Sequence, residues 1–140
     1  MGFSLLPSRS AAPSKAPEFD HTTIRVRDLQ KSAEFYEKVI GLEKMAEPFK
    51  DANHVWFRAG AHEQLHVVGG AKEAVQHEKE LHFAFRVASL DVFMAHLDAM
   101  HVKYSNFADD AKVTARPDGV KQIYFQDPDG YWIEVNDNRF

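Results

Sequence analysis

The chain repeats itself once. His21-Thr-Thr-Ile-Arg25-Val26-Arg-Asp-Leu29 returns as His82-Phe-Ala-Phe-Arg86-Val87-Ala-Ser-Leu90, each position 61 residues further on. In 140 residues a period of that size leaves room for only two copies. The pattern therefore describes a duplicated module rather than a solenoid. Each copy opens with a histidine on a strand-like segment, and each later offers a second residue able to hold a metal.

The first copy alternates from its start. His21, Thr23, Arg25 and Arg27 share one face, and Thr22, Ile24 and Val26 the other. Asp28 is placed to cap the helix that follows. Leu29, Ala33, Tyr36 and Ile40 give that helix one apolar stripe, and Gly41 stops it. Residues 55–58 and 64–68 read as short strands across the Ala59-Gly60-Ala61 turn, and Gly69-Gly70 ends the module. The second copy has a strand at 81–87, a cap at Ser89, and a helical stripe of Leu90, Phe93, Leu97 and Met100. Strands follow at 113–115, 122–125 and 131–136, the last two joined by the tight turn Asp127-Pro128-Asp129-Gly130. The expected fold class is α+β, built from two tandem βαβββ modules at 18–70 and 81–140. The polar segment 71–80 joins them.

The length suits one domain with a real core, residues 18–140. Residues 1–17 are rich in Ser, Ala and Pro and poor in large apolar side chains, which predicts a flexible arm. A formal charge of −4 argues against a nucleic-acid surface. It leaves room for an anionic small molecule, since local charge can differ from net charge. No apolar run approaches the roughly 18 residues of a membrane span. There is no cysteine, so no disulfide, thiolate nucleophile or thiolate metal site is possible.

His21 and His82 lie on the first strand of each module, and His66 and Glu134 on the last. The separations within the modules are 45 and 52 residues, equivalent if the second module carries the longer loop. If the two sheets face each other, all four side chains can converge on one point. Three imidazoles and one carboxylate suit a borderline divalent metal such as Zn, Ni, Fe or Mn. Four protein ligands on a six-coordinate ion leave two positions for water or substrate, which is a catalytic arrangement. His54, His62, His77, His96 and His101 have no such pairing and read as solvated. Trp132 shares the face of Glu134 and is expected to wall the cavity, with Tyr124 doing likewise. Arg25 shares the face of His21.

On these residues the chain resembles the vicinal oxygen chelate superfamily, which includes glyoxalase I, extradiol dioxygenases, fosfomycin-resistance thiol transferases and bleomycin-binding proteins. The marks run from Phe19 to Asp137. They are His21-Thr-Thr-Ile-Arg25-Val26, Ala33-Glu-Phe35-Tyr36, Ile40-Gly41-Leu42, Leu65-His66-Val67, Leu81-His82-Phe83 and Phe125-Gln-Asp127-Pro128-Asp129-Gly130-Tyr131-Trp132-Ile133-Glu134. The resemblance implies a curved eight-stranded mixed sheet forming a half-barrel cleft, with the helices outside. It implies metal ligation by His21, His66, His82 and Glu134. It also implies that Arg25 grips an anionic end of the substrate, as a guanidinium suits a carboxylate. The activity implied is that of a glyoxalase-like lyase or isomerase acting on vicinal oxygens through a metal-stabilised enediolate, with Glu134 as the base. The alternatives are an Fe(II) extradiol-type dioxygenase using His21, His82 and Glu134, a thiol transferase, or a metal-free binding protein of the antibiotic-resistance type. A cytoplasmic homodimer is expected, its metal ligands within one chain or shared between two. Two departures stand out. His66 replaces a frequent glutamate, and Gly69-Gly70 stands where glyoxalase I commonly has an asparagine for glutathione.

Overall fold

The computed structural model describes residues 16–139, so all but the last two residues of the expected arm lie outside the described residues. The first module runs β1 (His21–Arg25), α1 (Leu29–Phe35), a π-helical turn (Tyr36–Ile40), β2 (Glu43–Met45), β3 (His54–Arg58) and β4 (Gln64–Val68). The second runs β5 (His82–Arg86), α2 (Leu90–Ala99), β6 (Thr114–Ala115), β7 (Lys121–Gln126) and β8 (Trp132–Asn136). Each is βαβββ, as the repeat predicts. Asp28 accepts from the Lys31 backbone N–H and Ser89 from that of Val92, so both expected caps form.

The eight strands fall into two four-stranded sheets, ordered β1-β4-β3-β2 and β5-β8-β7-β6. In each, the first strand runs parallel to the last and the other pairs are antiparallel. Strands β1 and β5 are therefore the sheet edges that the two modules share by symmetry. Side chains from the β7–β8 turn occupy much of the outer edge of β1. The Tyr131 hydroxyl accepts from the Arg25 N–H at 3.1 Å and donates to the Arg25 carbonyl at 3.0 Å. Asp129 accepts from the Arg27 N–H at 2.6 Å. These groups are satisfied without a strand partner, which blunts the edge.

One apolar cluster serves both modules. Ile24, Val26, Phe57, Leu65 and Val67 meet Ile123, Phe125, Ile133 and Val135, with Leu90 and Leu97 of α2 packed against them. The Tyr36 ring lies 6.4 Å from Phe83, and Phe35 lies 6.3 Å from Phe125. Alternation then sends the other strand faces, with the candidate ligands, away from this core. Two features were not located from the sequence: the short strand β2, which the βαβββ pattern called for without placing, and the π-helical widening of the last helical turn. Gly41 closes that turn at φ 87°, and a Cβ placed there would meet nothing within 4 Å. The cost of Gly41→Ala is then the left-handed backbone alone, about 1 kcal/mol. A urea-unfolding midpoint shifted by that amount is the expected result.

Candidate metal centre

The ladder register puts equivalent residues at equivalent points of the two sheets. Across the first, Thr23 stands beside His66 and His66 beside Trp56. Across the second, Ala84 stands beside Glu134 and Glu134 beside Tyr124. His21 and His82 each lie two residues before the row, so they share its face. The His21 and His66 rings stack at 4.1 Å, and His66 stacks on Trp56 at 3.8 Å with planes 3° apart. His82 Nε2 lies 3.2 Å from Glu134 Oε2.

The four expected ligands thus form two pairs, one on each sheet. They do not close on a single point within one chain. Among the described residues, the group of three metal-capable side chains with ligand atoms within 4.8 Å of one another is Glu47, Asp51 and His54. Glu47 and Asp51 lie on the connection between β2 and β3, and His54 is the first residue of β3. Glu47 accepts from the backbone N–H groups of Phe49 and Lys50, and Asp51 binds His54 at 2.8 Å.

The hydrogen bonds around the two pairs test whether they suit a cation. His82 Nδ1–H donates to the Lys79 carbonyl at 2.7 Å. A neutral His82 then offers a lone pair at Nε2. That lone pair faces Glu134, whose Oε2 already accepts from the Tyr124 hydroxyl at 2.6 Å and whose Oε1 accepts from Asn136 Nδ2 at 2.7 Å. Two acceptors 3.2 Å apart repel unless a proton or a metal ion serves them both. On the other sheet, His21 Nδ1–H donates to the Asp20 carboxylate and His66 Nε2–H donates to Gln64 Oε1 at 2.9 Å. Each of the three rings has one nitrogen committed and one available, the arrangement that orients metal-binding histidines. The donor sets fit a divalent ion in pairs.

Electrostatics point the same way. Burial, then the neighbouring His21, holds the His66 pKa below the ordinary histidine value, which keeps its lone pair available. Burial, then the bond to Glu134, pushes the Tyr124 phenol well up, so it remains a donor.

Tyr124 and Trp132 both line an open cavity of about 400 Å³, with Lys103, Ser105 and Gln126 also on its wall. Neither Arg25 nor any of the four candidate ligands is among its lining residues. The Arg25 guanidinium, on the other sheet, donates from Nη2 to the Gly70 carbonyl at 2.9 Å. Three of the histidines expected to be solvated have partners. His54 pairs with Asp51, His77 stacks on Tyr131 at 4.1 Å, and His96 Nε2 lies 3.0 Å from the Lys38 carbonyl. The residues that sequence reasoning missed are those that hold the ligands: Asp20, Gln64, Lys79 and Asn136. The repeat gives no signal for them, because their matched positions differ between the copies.

Fold and site together define an α+β protein of paired βαβββ modules, each carrying a histidine-containing pair, with His66 and Glu134 buried. The chain belongs to the Glyoxalase/Bleomycin resistance protein/Dioxygenase superfamily, whose family model matches residues 18–135. It is 29% identical over 126 residues to the uncharacterized protein YwbC of Bacillus subtilis (strain 168), covering 85% of this chain and 96% of that one. It is 24% identical over 149 residues to a lactoylglutathione lyase of Pseudomonas putida, covering 84% of this chain and 83% of that one. A solved glyoxalase family protein from Bacillus anthracis superposes with a TM-score of 0.73 at 24% identity, over 91% of this chain and all (100%) of that one. Among the described residues no helix is long and apolar enough to cross a membrane.

Proposed function

We propose that this protein is a metal-dependent lyase or isomerase of glyoxalase type, acting on a small molecule with vicinal oxygens. The observation that carries the reading is the pair His82 Nε2 and Glu134 Oε2, 3.2 Å apart, a spacing that a shared proton or a metal ion satisfies. The second pair, His21 and His66, supplies two further nitrogens that do not reach the first pair within one chain. A two-fold homodimer that sets the first pair of one chain against the second pair of its partner would complete two four-ligand sites at once. A divalent ion held there would supply Lewis acidity toward two neighbouring substrate oxygens.

The chain's own residues do the remaining work. Glu134 is the base: it takes a proton from the substrate carbon and returns it to the next one. Tyr124 and Asn136 hold its two oxygens, which fixes the orientation of the carboxylate. The cavity bounded by Tyr124 and Trp132 receives the body of the substrate. Among the described residues the Trp56 Nε1–H is buried without a partner beside His66. A bound acceptor would remove that penalty, which is about 1–3 kcal/mol. Arg25 is proposed to hold an anionic end of the substrate through guanidinium N–H groups other than the one that donates to Gly70.

The test is turnover of the methylglyoxal–glutathione hemithioacetal by protein loaded with Ni, Co or Zn, with exchange of the substrate α-proton into solvent followed by NMR. Turnover that depends on the ion, in a species sedimenting as a dimer, is the expected result. A protein that takes up none of these ions would overturn the proposal. Oxygen uptake with a catechol after ferrous loading, without hemithioacetal turnover, would move the reaction to ring cleavage.

A further inference from the structure

The segment between the modules approaches the candidate centre from the side, through one residue. Residues 77–82 turn back on themselves, the Leu81 N–H donating to the Glu78 carbonyl at 3.0 Å. This turn aims the Lys79 carbonyl at His82 Nδ1, 2.7 Å away. The same residue sends its side chain into the protein. That side chain is 10% exposed, and its ammonium donates to the Asn106 carbonyl at 3.5 Å, to the Phe107 carbonyl at 3.0 Å and to Asp109 Oδ1 at 2.6 Å. It also lies 4.6 Å from the centroid of the Trp132 ring, within cation–π range. The indole N–H of Trp132 donates to the His77 carbonyl at 2.9 Å, which ties the turn down at a second point.

We propose that Lys79 is a positioning residue for His82: its buried ammonium anchors the inter-module turn so that its own carbonyl holds the Nδ1–H tautomer and presents the Nε2 lone pair toward Glu134. This rests on His82 being a metal ligand, as proposed above. The physical reason is directness. A lysine ammonium has three donors, and here they meet three acceptors, with the Trp132 ring beside them. Without that anchor the turn is a polar surface loop with little apolar burial to order it. The Lys79 carbonyl would then move, and His82 would gain access to its Nε2–H tautomer. In that form the nitrogen facing Glu134 carries a proton and cannot bind a metal until it loses it.

Two readouts separate this proposal from the reading beneath it. The first is the His82 tautomer in the metal-free protein, from long-range ¹H–¹⁵N correlation at pH 8. Wild type is expected to show Nδ1–H, and K79M a mixture with Nε2–H. The second is Zn(II) affinity by calorimetry, expected to fall about tenfold in K79M, at the lower end of the loss usual for an outer-shell partner. K79R keeps a cation in place and is expected to restore most of both signals. D109N, which removes the charge from one acceptor, is expected to shift the tautomer in the same direction by less. A wild-type His82 in the Nε2–H form would overturn the proposal whatever the variants do. So would a folded K79M with an unchanged tautomer. If K79M fails to fold, the wild-type tautomer together with D109N and K79R decides. A protein with the expected tautomers and no affinity for Zn(II) would sink the catalytic reading while leaving the role of Lys79 intact.

Discussion

Replacing Glu134 by glutamine is expected to remove turnover by a factor of about 10²–10⁴, the usual contribution of a positioned acid–base group. The amide matches the carboxylate in shape but cannot take a proton. Its surroundings change by one hydrogen bond, since the Tyr124 hydroxyl loses Oε2 as its acceptor. Asn136 Nδ2 and the Tyr124 hydroxyl, 2.7 and 2.6 Å from the two carboxylate oxygens, can still pair with an amide, since a phenol both donates and accepts. The unfolding midpoint should therefore move little. The substitution also weakens a ligand, so the rate is to be read at saturating metal, with the affinity measured separately by calorimetry. A large loss of kcat at full metal occupancy is the signature of the base. Activity at the wild-type rate under the same conditions would take that role away from Glu134 and leave it as a ligand alone.

Strand periodicity, caps and turns made the modules readable. Each is a local rule acting on neighbouring residues: Asp28 and Ser89 cap because their side chains reach N–H groups three residues on. The candidate ligands were readable for the same reason. Alternation fixes the face of His21, and the repeat fixes its counterpart at His82. What sequence periodicity does not encode is which faces meet. His66 and Glu134 occupy matched positions, yet their partners differ in kind: one stacks on an indole, and the other accepts from a phenol and an amide. The expected convergence of all four ligands is a statement about how one sheet is placed against another. That placement is set by long-range contacts such as those of Tyr131 and Asp129 with β1. The strand β2 was missed because Glu43-Lys-Met45 has no apolar alternation to reveal it; it forms because its backbone completes the edge of β3. Lys79 was hidden most thoroughly. A lysine in a polar linker reads as solvated, and only the fold turns it inward.

The largest stability loss is expected at Asp127, where the two modules are tied together away from the candidate site. Its carboxylate is 5% exposed and accepts three hydrogen bonds. Two come from the backbone N–H groups of Asp129 and Tyr131, each at 2.9 Å, and shape the β7–β8 turn. The third comes from the Tyr36 hydroxyl at 2.8 Å, which belongs to the other module and is itself fully buried. Asp127→Ala leaves three donors without an acceptor, one of them deep in the core. At about 1–3 kcal/mol for each unmet buried group, with water reaching the turn N–H groups in part, the expected loss is roughly 3 kcal/mol. That is a large share of the 5–15 kcal/mol typical of a domain. Tyr36→Phe removes only one donor from a carboxylate that keeps two, so it should cost about half as much. Asp127→Asn tests the charge separately. Burial raises the pKa of Asp127 in the folded protein above its unfolded value, and the hydrogen bond from Tyr36 only partly offsets this. The folded state therefore binds this proton more tightly than the unfolded chain does. Its contribution is fully present below the unfolded pKa and is lost as pH rises through the folded one. Urea unfolding of wild type relative to Asp127→Asn should accordingly show a relative gain for wild type as pH falls from 7 toward 4. A difference between the two that does not change over that range would mean that burial of the charge is not felt at Asp127, and that its hydrogen bonds alone account for the lock.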